Sequence, residues 1–354
     1  MPRIPPWLLR QAKRCSPEVA SLLPACKDIP SALNEVRWLR EHVERTASSG
    51  RRRRLAKLCI QRGRGVPLQY LLGSQPFGPL DIKCKPGVLI PRPETEAYAY
   101  RLADLIKPEY LGKKDLASGE PLSIVDFCTG TGCIPLLLFA LLQRAVGSLD
   151  IRGVDISTTA VQLAECNAIT NIRDGHLLRP GLNQRLAFTQ GDVFGEDVLQ
   201  SLAGKPWDVL VANPPYISED AWKYGRGHLT YSVRKYEPRL ALVPPDSVAV
   251  PTGWHRQDVF YCRLLDIAHH LGTRIVLLEV GDEAQAIRVL QGLANHRLKA
   301  RAQVEAWRDY PHDTSGDSGD DSLAITTAQG RIWTVPTRGS GLVRSILLRL
   351  PKAT

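Results

Sequence analysis

Apolar and polar positions divide the chain into two parts with different periodicities. Over residues 1–64 the apolar positions recur at helical spacing, as at Val36 and Val43, which is typical of amphipathic helices. Glycine and proline then interrupt the pattern, and residues 65–100 predict a connector that contains a hairpin. Over residues 101–354, short apolar runs alternate with helical stretches, the order expected for an α/β sheet with crossover helices.

Seven runs in the second part have the length and apolar content of strands. They span residues 123–127, 151–154, 186–189, 207–212, 274–280, 300–307 and 344–350. Between the last two, acidic residues stand among serine and glycine near residues 309–321, and this composition predicts a disordered insertion. Its carboxylates are Asp309, Asp313, Asp317, Asp320 and Asp321. The pattern therefore predicts an α/β protein with a seven-stranded mixed sheet and a small N-terminal helical domain over residues 1–64.

The net charge of +10 is concentrated at the start of the chain. Residues 1–64 contain 15 Lys and Arg against 5 Asp and Glu, whereas the rest of the chain is balanced. A balanced body argues against a general polyanion-binding surface there. Arg51–Arg54 form a run of four arginines. This run leaves nucleic-acid contact open without favouring it, because such runs are more often solvated helix faces.

The composition also limits the kinds of site and location that we expect. The longest apolar run, Ile134–Leu142, is too short to span a membrane. The 8 cysteines form no C-x-x-C pair, so we expect neither a metal site nor a disulfide framework. The first 17 residues carry basic but no acidic side chains. Such a start is compatible with a mitochondrial presequence, and a cytoplasmic protein is the alternative.

Candidate ligand-binding residues stand at the ends of four successive predicted strands. They are the turn Cys128, Thr129, Gly130, Thr131 and Gly132, then Asp155, Asp192 and Asn213. Ligands in open α/β sheets bind outside the carboxyl ends of the strands, where glycine allows close backbone approach and an acid holds ribose hydroxyls. The turn is not G-x-G-x-x-G and contains no G-K-[ST], which disfavours a nicotinamide dinucleotide and excludes a P-loop.

The tetrapeptide Asn213-Pro214-Pro215-Tyr216 is the most specific feature of the sequence. A planar amide or exocyclic amino nitrogen is a poor nucleophile, and two acceptors that take its N–H groups would orient its lone pair. The Asn213 side-chain oxygen and the Pro214 carbonyl are suited to this, since the prolines fix the backbone. Tyr216 offers an aromatic face to the planar group. The alternative is that Pro214 and Pro215 only end a strand and have no role in ligand binding.

These motifs resemble those of known families. Asp126 to Gly132, with Asp155 after the next strand, is similar to motif I of the class I methyltransferases. N-P-P-Y occurs in methyltransferases that act on adenine N6, on guanine N2 and on protein glutamine. Four further segments resemble the release factor glutamine methyltransferase family (HemK/PrmC-like), and they are residues 64–73, 88–96, 236–242 and 278–281.

The resemblance implies a class I methyltransferase (Rossmann-like) fold with S-adenosylmethionine as cofactor. Residues 128–132 would pass beneath its methionine part, Asp155 would bind its ribose, and Asp192 with Val193 would lie at its adenine. The implied reaction is N5-methylation of the glutamine in the Gly-Gly-Gln motif of a class I peptide release factor, the mitochondrial one if the location is mitochondrial. Residues 1–64 would be the domain that contacts the release factor. N6-adenine or another nucleic-acid amino methylation is the alternative.

Three departures from the family pattern stand out. Cys128 replaces the glycine most often found in the turn, and Val243–Asp246 replace a glycine-rich stretch. The acidic stretch near 309–321 is extra. Arg92 and Glu94 are either connector residues or part of the site, and Asp126 is either structural or functional.

Overall fold

The computed structural model describes residues 4–107, 121–225, 229–313, 322–327 and 330–351. The chain divides into two compact units. The first contains residues 1–75, 83–90 and 220–238, and the second contains residues 76–82, 91–219 and 239–354.

The N-terminal part of the first unit is helical, as its periodicity predicts. Its helices are α1 (Pro6–Cys15), α2 (Pro17–Cys26), α3 (Ile29–Thr46), α4 (Arg51–Gly63) and α5 (Leu68–Leu72). Side-chain caps start two of them: Ser16 Oγ accepts from Val19 N at 3.1 Å, and an Asp28 carboxylate oxygen accepts from Ser31 N at 2.7 Å. Gly63 is required where α4 crosses α2, because a Cβ there would lie 1.8 Å from the Ser21 carbonyl oxygen.

Helix α1 forms although three prolines stand near its start. Pro6 occupies the first turn, where the missing N–H has no intrahelical acceptor to lose. Ala12 is fully buried, and Leu8 and Leu9 pack against the core of the helical unit. The basic N-terminal segment therefore contributes to a folded core.

A later segment of the chain also belongs to the first unit. Two short helices follow the N-P-P-Y tetrapeptide, α10 (Glu219–Tyr224) and α11 (Tyr231–Tyr236). Ser232 Oγ donates to the Gly65 carbonyl at 2.6 Å. The carboxylate of Glu237 accepts from Ile90 N at 3.1 Å. The predicted domain boundary at residue 64 does not include this segment, because contacts so distant in sequence leave no local pattern.

The connector contains the predicted hairpin, formed by β1 (Ser74–Phe77) and β2 (Leu80–Lys83). Helix α6 (Pro93–Ile106) follows. The predicted boundary at residue 100 falls inside this helix. The apolar stripe of α6 runs on past residue 100, with Leu102 and Ile106 fully buried.

The second unit is built on one mixed sheet, which confirms the predicted α/β fold class. Its strands are β3 (Leu122–Phe127), β4 (Leu149–Asp155), β5 (Gln184–Gln190), β6 (Val209–Ala212), β7 (Ile275–Glu279), β8 (Gln303–Tyr310), β9 (Ser322–Thr326), β10 (Ile332–Arg338) and β11 (Ser340–Arg349). Their order is β5-β4-β3-β6-β7-β11-β8-β10-β9. The first five are parallel to one another, and β11 is antiparallel to β7 and β8.

Helices cover this sheet, as expected for buried parallel strands. They are α7 (Cys133–Leu142), α8 (Thr158–Arg173), α9 (Glu196–Leu202), α12 (Val259–His270) and α13 (Glu283–Ala294). All six residues of β3 are buried, which explains its continuous apolar run. The predicted cap of α8 is present, since Ser157 Oγ accepts from Ala160 N at 3.3 Å.

The described sheet has nine strands, so the predicted number of seven is wrong. The two unpredicted strands, β9 and β10, form an antiparallel pair at the sheet edge. Only alternate residues of β9 are buried, Leu323 and Ile325, and β10 contains Pro336. Short half-buried strands next to an acidic stretch give a weak local signal, and proline argues against a central strand.

The disordered insertion predicted near residues 309–321 does not include Asp309. Asp309 belongs to β8, and its carboxylate accepts from Arg344 Nε at 2.9 Å. Residues 314–321 lie outside the described residues, and Asp317, Asp320 and Asp321 with them.

None of the helices in the described ranges combines the length and apolar content needed to cross a bilayer. All eight cysteines are free thiols.

Candidate active site

The carboxyl ends of the five parallel strands meet at one edge of the sheet. Every residue predicted to bind a ligand lies at or just after one of these ends, and Glu279 ends the fifth strand. The structure therefore brings the predicted turn, the predicted acids and the N-P-P-Y tetrapeptide to the same edge.

The turn after β3 has an unusual backbone. Cys128, Gly130 and Gly132 all have positive φ, at 60°, 55° and 77°. Thr129 N donates to the Val154 carbonyl at 3.0 Å, which ties the turn to β4. A left-handed conformation costs a residue with a side chain about 1–2 kcal/mol. The structure thus explains why glycine suits position 128 and shows that cysteine tolerates it.

Gly132 has no room for a side chain. A Cβ would lie 2.8 Å from Ala164 Cβ and 2.9 Å from the Phe188 ring. We expect Gly132→Ala to lower the free energy of unfolding by about 2–4 kcal/mol, because it adds overpacking to a left-handed backbone. Urea unfolding measures the change. Gly147→Ala is the control, because its Cβ would meet nothing within 4 Å, and an equal loss in both variants would contradict the prediction.

Asp155 joins the turn to the end of β4. One carboxylate oxygen accepts from Gly130 N at 2.8 Å and the other from Ser157 N at 2.9 Å. Each oxygen has a second lone pair with which it can accept from a ligand hydroxyl. Burial raises the pKa of Asp155 above its usual range, and the two backbone N–H groups oppose that shift.

Asp126 is a fully buried acid beside this turn. Neither of its carboxylate oxygens has a partner at full hydrogen-bond geometry among the described residues, but the Thr129 hydroxyl lies close enough to oppose the rise in its pKa. Burial raises the pKa of Asp126 well above its usual range. Buried carboxylates normally have partners, so this one is suited to a donor from Thr129 or from a ligand.

Asp192 and Val193 follow β5 and differ in exposure. Asp192 is exposed and its carboxylate accepts from Phe194 N at 2.9 Å, which shapes the loop. The side chain of Val193 is buried in the core of the sheet unit. At Val193 only the backbone is therefore available to a ligand.

Asn213 leaves β6 with its side chain half-buried, and Pro214 and Pro215 are buried. No described residue forms a hydrogen bond with the Asn213 carboxamide or donates to the Pro214 carbonyl. Ile217 N donates to the Leu242 carbonyl at 2.8 Å and holds the far side of the tetrapeptide. Two rigid acceptors are thus left for a ligand.

Tyr216 is held at both ends. Its hydroxyl donates to a Glu279 carboxylate oxygen at 3.1 Å, and its carbonyl accepts from Gln285 Nε2 at 3.1 Å. A Cβ on Gly281 would lie 3.1 Å from the Tyr216 ring, so this glycine leaves room for the ring at its observed position. Burial, followed by the charge of Glu279, raises the pKa of the Tyr216 hydroxyl far above its usual range. The ring face, and not the hydroxyl, is left for a ligand.

Glu279 is a site residue that the sequence does not reveal. The carboxylate oxygen that is not bound to Tyr216 accepts from Thr95 Oγ1 at 2.7 Å. The Glu279 carbonyl accepts from the Tyr261 hydroxyl at 2.8 Å. Burial raises the pKa of Glu279, opposed by its hydrogen bonds and by Arg344. Its signals in the sequence are an acid in an apolar strand and its place in segment 278–281, and neither indicates its role.

In the segment 88–96, Thr95 is the residue that makes this contact. Arg92 precedes α6 as its N-cap and places its charge near Tyr216, whereas Glu94 lies in the first turn of α6.

The segment 243–246, which departs from the family pattern, is held by Arg256. Its guanidinium donates to the Val248 carbonyl at 2.8 Å and to the Pro245 carbonyl at 3.3 Å. The loop that contains this departure is therefore stabilised by hydrogen bonds from Arg256.

Sequence comparison adds independent information. No family model matches the chain. The mitochondrial MRF1 N(5)-glutamine methyltransferase MTQ1 of Saccharomyces cerevisiae is 37% identical over 247 residues, which cover 69% of this chain and 68% of that protein. The chain belongs to the release factor glutamine methyltransferase family.

Two further members of the family show the same relationship. The probable MRF1 mitochondrial N(5)-glutamine methyltransferase of Schizosaccharomyces pombe is 35% identical and covers 69% of this chain and 73% of its own length. The release factor glutamine methyltransferase of Chlorobaculum tepidum is 36% identical over 53% of this chain and 56% of its own length. The resemblance stated from the sequence motifs is confirmed, and these relatives do not support the nucleic-acid alternative. The roles of individual site residues stay predictions.

Proposed function

We propose that this chain transfers a methyl group from S-adenosylmethionine to the side-chain amide nitrogen, N5, of the glutamine in the Gly-Gly-Gln motif of a class I peptide release factor. The observation that carries the proposal is the pair of free acceptors, the Asn213 carboxamide and the Pro214 carbonyl, at the end of a buried parallel strand. The names of the relatives, which give glutamine N5 as the atom methylated, support the same assignment.

The residues at the sheet edge fit S-adenosylmethionine. Asp155 has lone pairs for ribose hydroxyls, and the buried, unpartnered carboxyl of Asp126 suits an ammonium group. The turn 128–132 brings a left-handed backbone to the same edge, and Asp192 with the Val193 backbone would border the adenine. When bound, the cofactor supplies an electrophilic methyl group on a sulfonium, which is a good leaving group.

The residues of the tetrapeptide then act on the amide. The Asn213 side-chain oxygen and the Pro214 carbonyl accept from the two N–H groups and turn the nitrogen lone pair toward the methyl carbon. Pro214 and Pro215 keep these acceptors rigid, which is how preorganised acceptors lower a barrier. The Tyr216 ring covers the planar group. The proton made acidic by methylation leaves to water, so no catalytic histidine is required.

The test of the proposal is methyl transfer to a purified class I release factor and to its Gly-Gly-Gln variant with glutamine replaced by alanine. Peptide mapping by mass spectrometry should place one methyl group on the glutamine side chain of the unaltered factor only. Equal labelling of both factors, or labelling of tRNA or rRNA instead, contradicts the proposal.

Glu279→Gln is expected to lower kcat about tenfold with little change in cofactor Kd. The amide keeps the volume, but one of the two hydroxyl partners loses its acceptor, so the Tyr216 ring is less well fixed. Steady-state kinetics and calorimetry measure the two quantities. Glu305→Gln is the control, because it removes a carboxylate that two arginines contact in the same unit but outside this edge. If both variants lowered kcat equally, the loss would reflect the fold and not the position of Tyr216.

We further propose a mitochondrial location and a mitochondrial release factor as substrate, on the basis of the two mitochondrial relatives and the basic start of the chain. Since α1 contributes to a core, deletion of the first 20 residues would confound targeting with folding. We therefore expect Arg10→Gln, Lys13→Gln and Arg14→Gln together, all exposed on α1, to reduce mitochondrial import of a fluorescently tagged chain. Unchanged import of the variant contradicts a targeting role for these three residues, whereas a cytosolic signal from the unaltered chain contradicts the location.

A further inference from the structure

The concentrated positive charge of the first unit lies on a defined surface between two helices. Helices α3 and α4 run antiparallel. At one end of the pair, Arg62 Nε donates to a Glu35 carboxylate oxygen at 2.6 Å, and a second bond from Arg62 measures 3.0 Å. At the other end, Arg45 and Arg54 lie close enough to His42 for their charges to act on it. The positive charge is thus neutralised by Glu35 at one end of the helix pair, and it is not neutralised by an ion pair among the described residues at the other end.

The uncompensated end contains residues of both helices. Trp38, His42 and Arg45 follow one another at four- and three-residue spacing and share a face of α3. Arg51 and Arg54, one turn apart, lie at the start of α4. We call these five residues the arginine seam. Its three arginines are exposed, and Trp38 is 42% exposed.

The acids nearest to the arginine seam in sequence are Glu41 and Glu44 on α3, and Glu41 pairs with Arg37 rather than with the seam. From residue 45 to residue 64 the sequence contains eight Lys and Arg and no Asp or Glu. Among the described residues, Arg45, Arg51 and Arg54 make no ion pair, and the one side-chain bond of Arg51 goes to the Ala47 carbonyl at 3.0 Å.

The position of these charges on α4 is itself unfavourable. The helix starts at Arg51 with no side-chain cap and no acid in its first turn. Cations at a helix N-terminus oppose the helix dipole, and neighbouring arginines repel one another. A bound polyanion would place negative charge at the N-terminus of α4, where the helix dipole favours it, and would reduce the repulsion between the arginines. The imidazole of His42, whose Nδ1 is buried without a partner in the described chain, adds a further polar group.

We propose that the arginine seam binds a single-stranded nucleic acid. Guanidinium groups fit phosphate in a bidentate manner, and three of them within one helix pair match a backbone of repeated phosphates. The exposed indole of Trp38 on the same α3 face gives an unpaired base a stacking surface. An acidic protein surface would pair with the three arginines, but it would not require the exposed Trp38 indole beside them. The arginine seam belongs to the first unit and shares no residue with the methyl-transfer site, so this proposal does not depend on the proposed reaction.

The experiment is fluorescence anisotropy of the full chain with labelled mixed-sequence 20-nucleotide strands of RNA and of DNA, over about 50 to 200 mM salt. The seam variant carries Arg45→Gln, Arg51→Gln and Arg54→Gln. The control variant carries Arg179→Gln, Arg185→Gln and Arg331→Gln, which remove the same charge from exposed positions of the second unit. Circular dichroism confirms that both variants fold.

The seam variant should bind about 30-fold more weakly at low salt, with the slope of log K against log salt reduced by about 2, since single strands give roughly 0.7 per phosphate contact. The control variant should change affinity less than about threefold. Trp38→Ala should weaken binding about tenfold at an unchanged salt slope, because stacking releases no counterions. Tighter binding of RNA than of DNA assigns the site to RNA, and equal binding assigns it to single strands in general.

Equal affinities of the seam and control variants overturn the proposal. So does an unaltered chain that binds neither strand below about 100 µM, the weak end of ordinary non-specific binding. A seam variant that loses affinity for purified release factor and keeps its affinity for both strands also overturns it, and would assign the seam to a protein partner.

Discussion

Asn213→Ala is expected to reduce kcat for glutamine methylation about 100-fold or more while leaving cofactor Kd within about threefold. The carboxamide makes no hydrogen bond to the described part of the chain, so its removal should change the stability of the fold little. What is lost is an acceptor held rigid by two buried prolines at the point where the amide nitrogen must be oriented, a loss of about 2.7–4 kcal/mol. Single-turnover kinetics with saturating cofactor measure the change.

Asn295→Ala serves as the matched control, since Asn295 is exposed at the end of α13. Asn295→Ala should leave both kcat and cofactor Kd unchanged. If calorimetry showed that Asn213→Ala loses cofactor affinity while turnover per bound complex persists, Asn213 would be a cofactor residue and the orientation of the amide would have another source.

Asp155→Ala is expected to have the opposite effect, with cofactor Kd raised about 100-fold or more and kcat at saturation changed only a few-fold. The variant loses the acceptors for ribose hydroxyls and releases Gly130 N and Ser157 N, which the carboxylate now holds. Two hydrogen bonds to a charged group are together worth about 3–6 kcal/mol. Isothermal calorimetry with S-adenosylmethionine measures the affinity.

Asp150 provides a control on the same strand. It lies near the start of β4, where Lys205 pairs with it at 2.5 Å. Asp150→Ala removes a carboxylate and an ion pair from β4 without touching its carboxyl end. A similar loss of cofactor affinity in both variants would show that β4 as a whole, and not Asp155, governs binding.

Much of the site edge could be predicted because its information is local. An apolar run followed by glycine, acid or asparagine marks both a strand and its carboxyl end, and parallel strands bring such ends together. The positions of Asp155 and Asn213 follow from this rule, and so does the cap at Ser157. The N-P-P-Y tetrapeptide adds chemistry that depends only on four adjacent residues.

The features that the sequence misses depend on distant partners. Glu279 and Thr95 bond across 184 positions, and nothing near either residue indicates the other. Segment 220–238 joins the first unit through Ser232 and Glu237, whose partners lie more than 140 positions earlier. Strands β9 and β10 bury only alternate side chains at the edge of the sheet, where apolar content no longer distinguishes a strand from a loop.

Cys128 in the turn after β3 allows access to that turn to be measured by thiol alkylation. Cys128 is half-buried, and burial raises the pKa of its thiol well above its usual range, which disfavours the reactive thiolate. Cys15 and Cys166 are exposed and can be replaced by serine, which leaves thiols that are half-buried or buried. The rate at which Cys128 is then alkylated, read by peptide mapping apart from the half-buried Cys26 and Cys262, reports how accessible the turn is. The cysteine in this turn thus gives the chain a native probe of access to its own binding site.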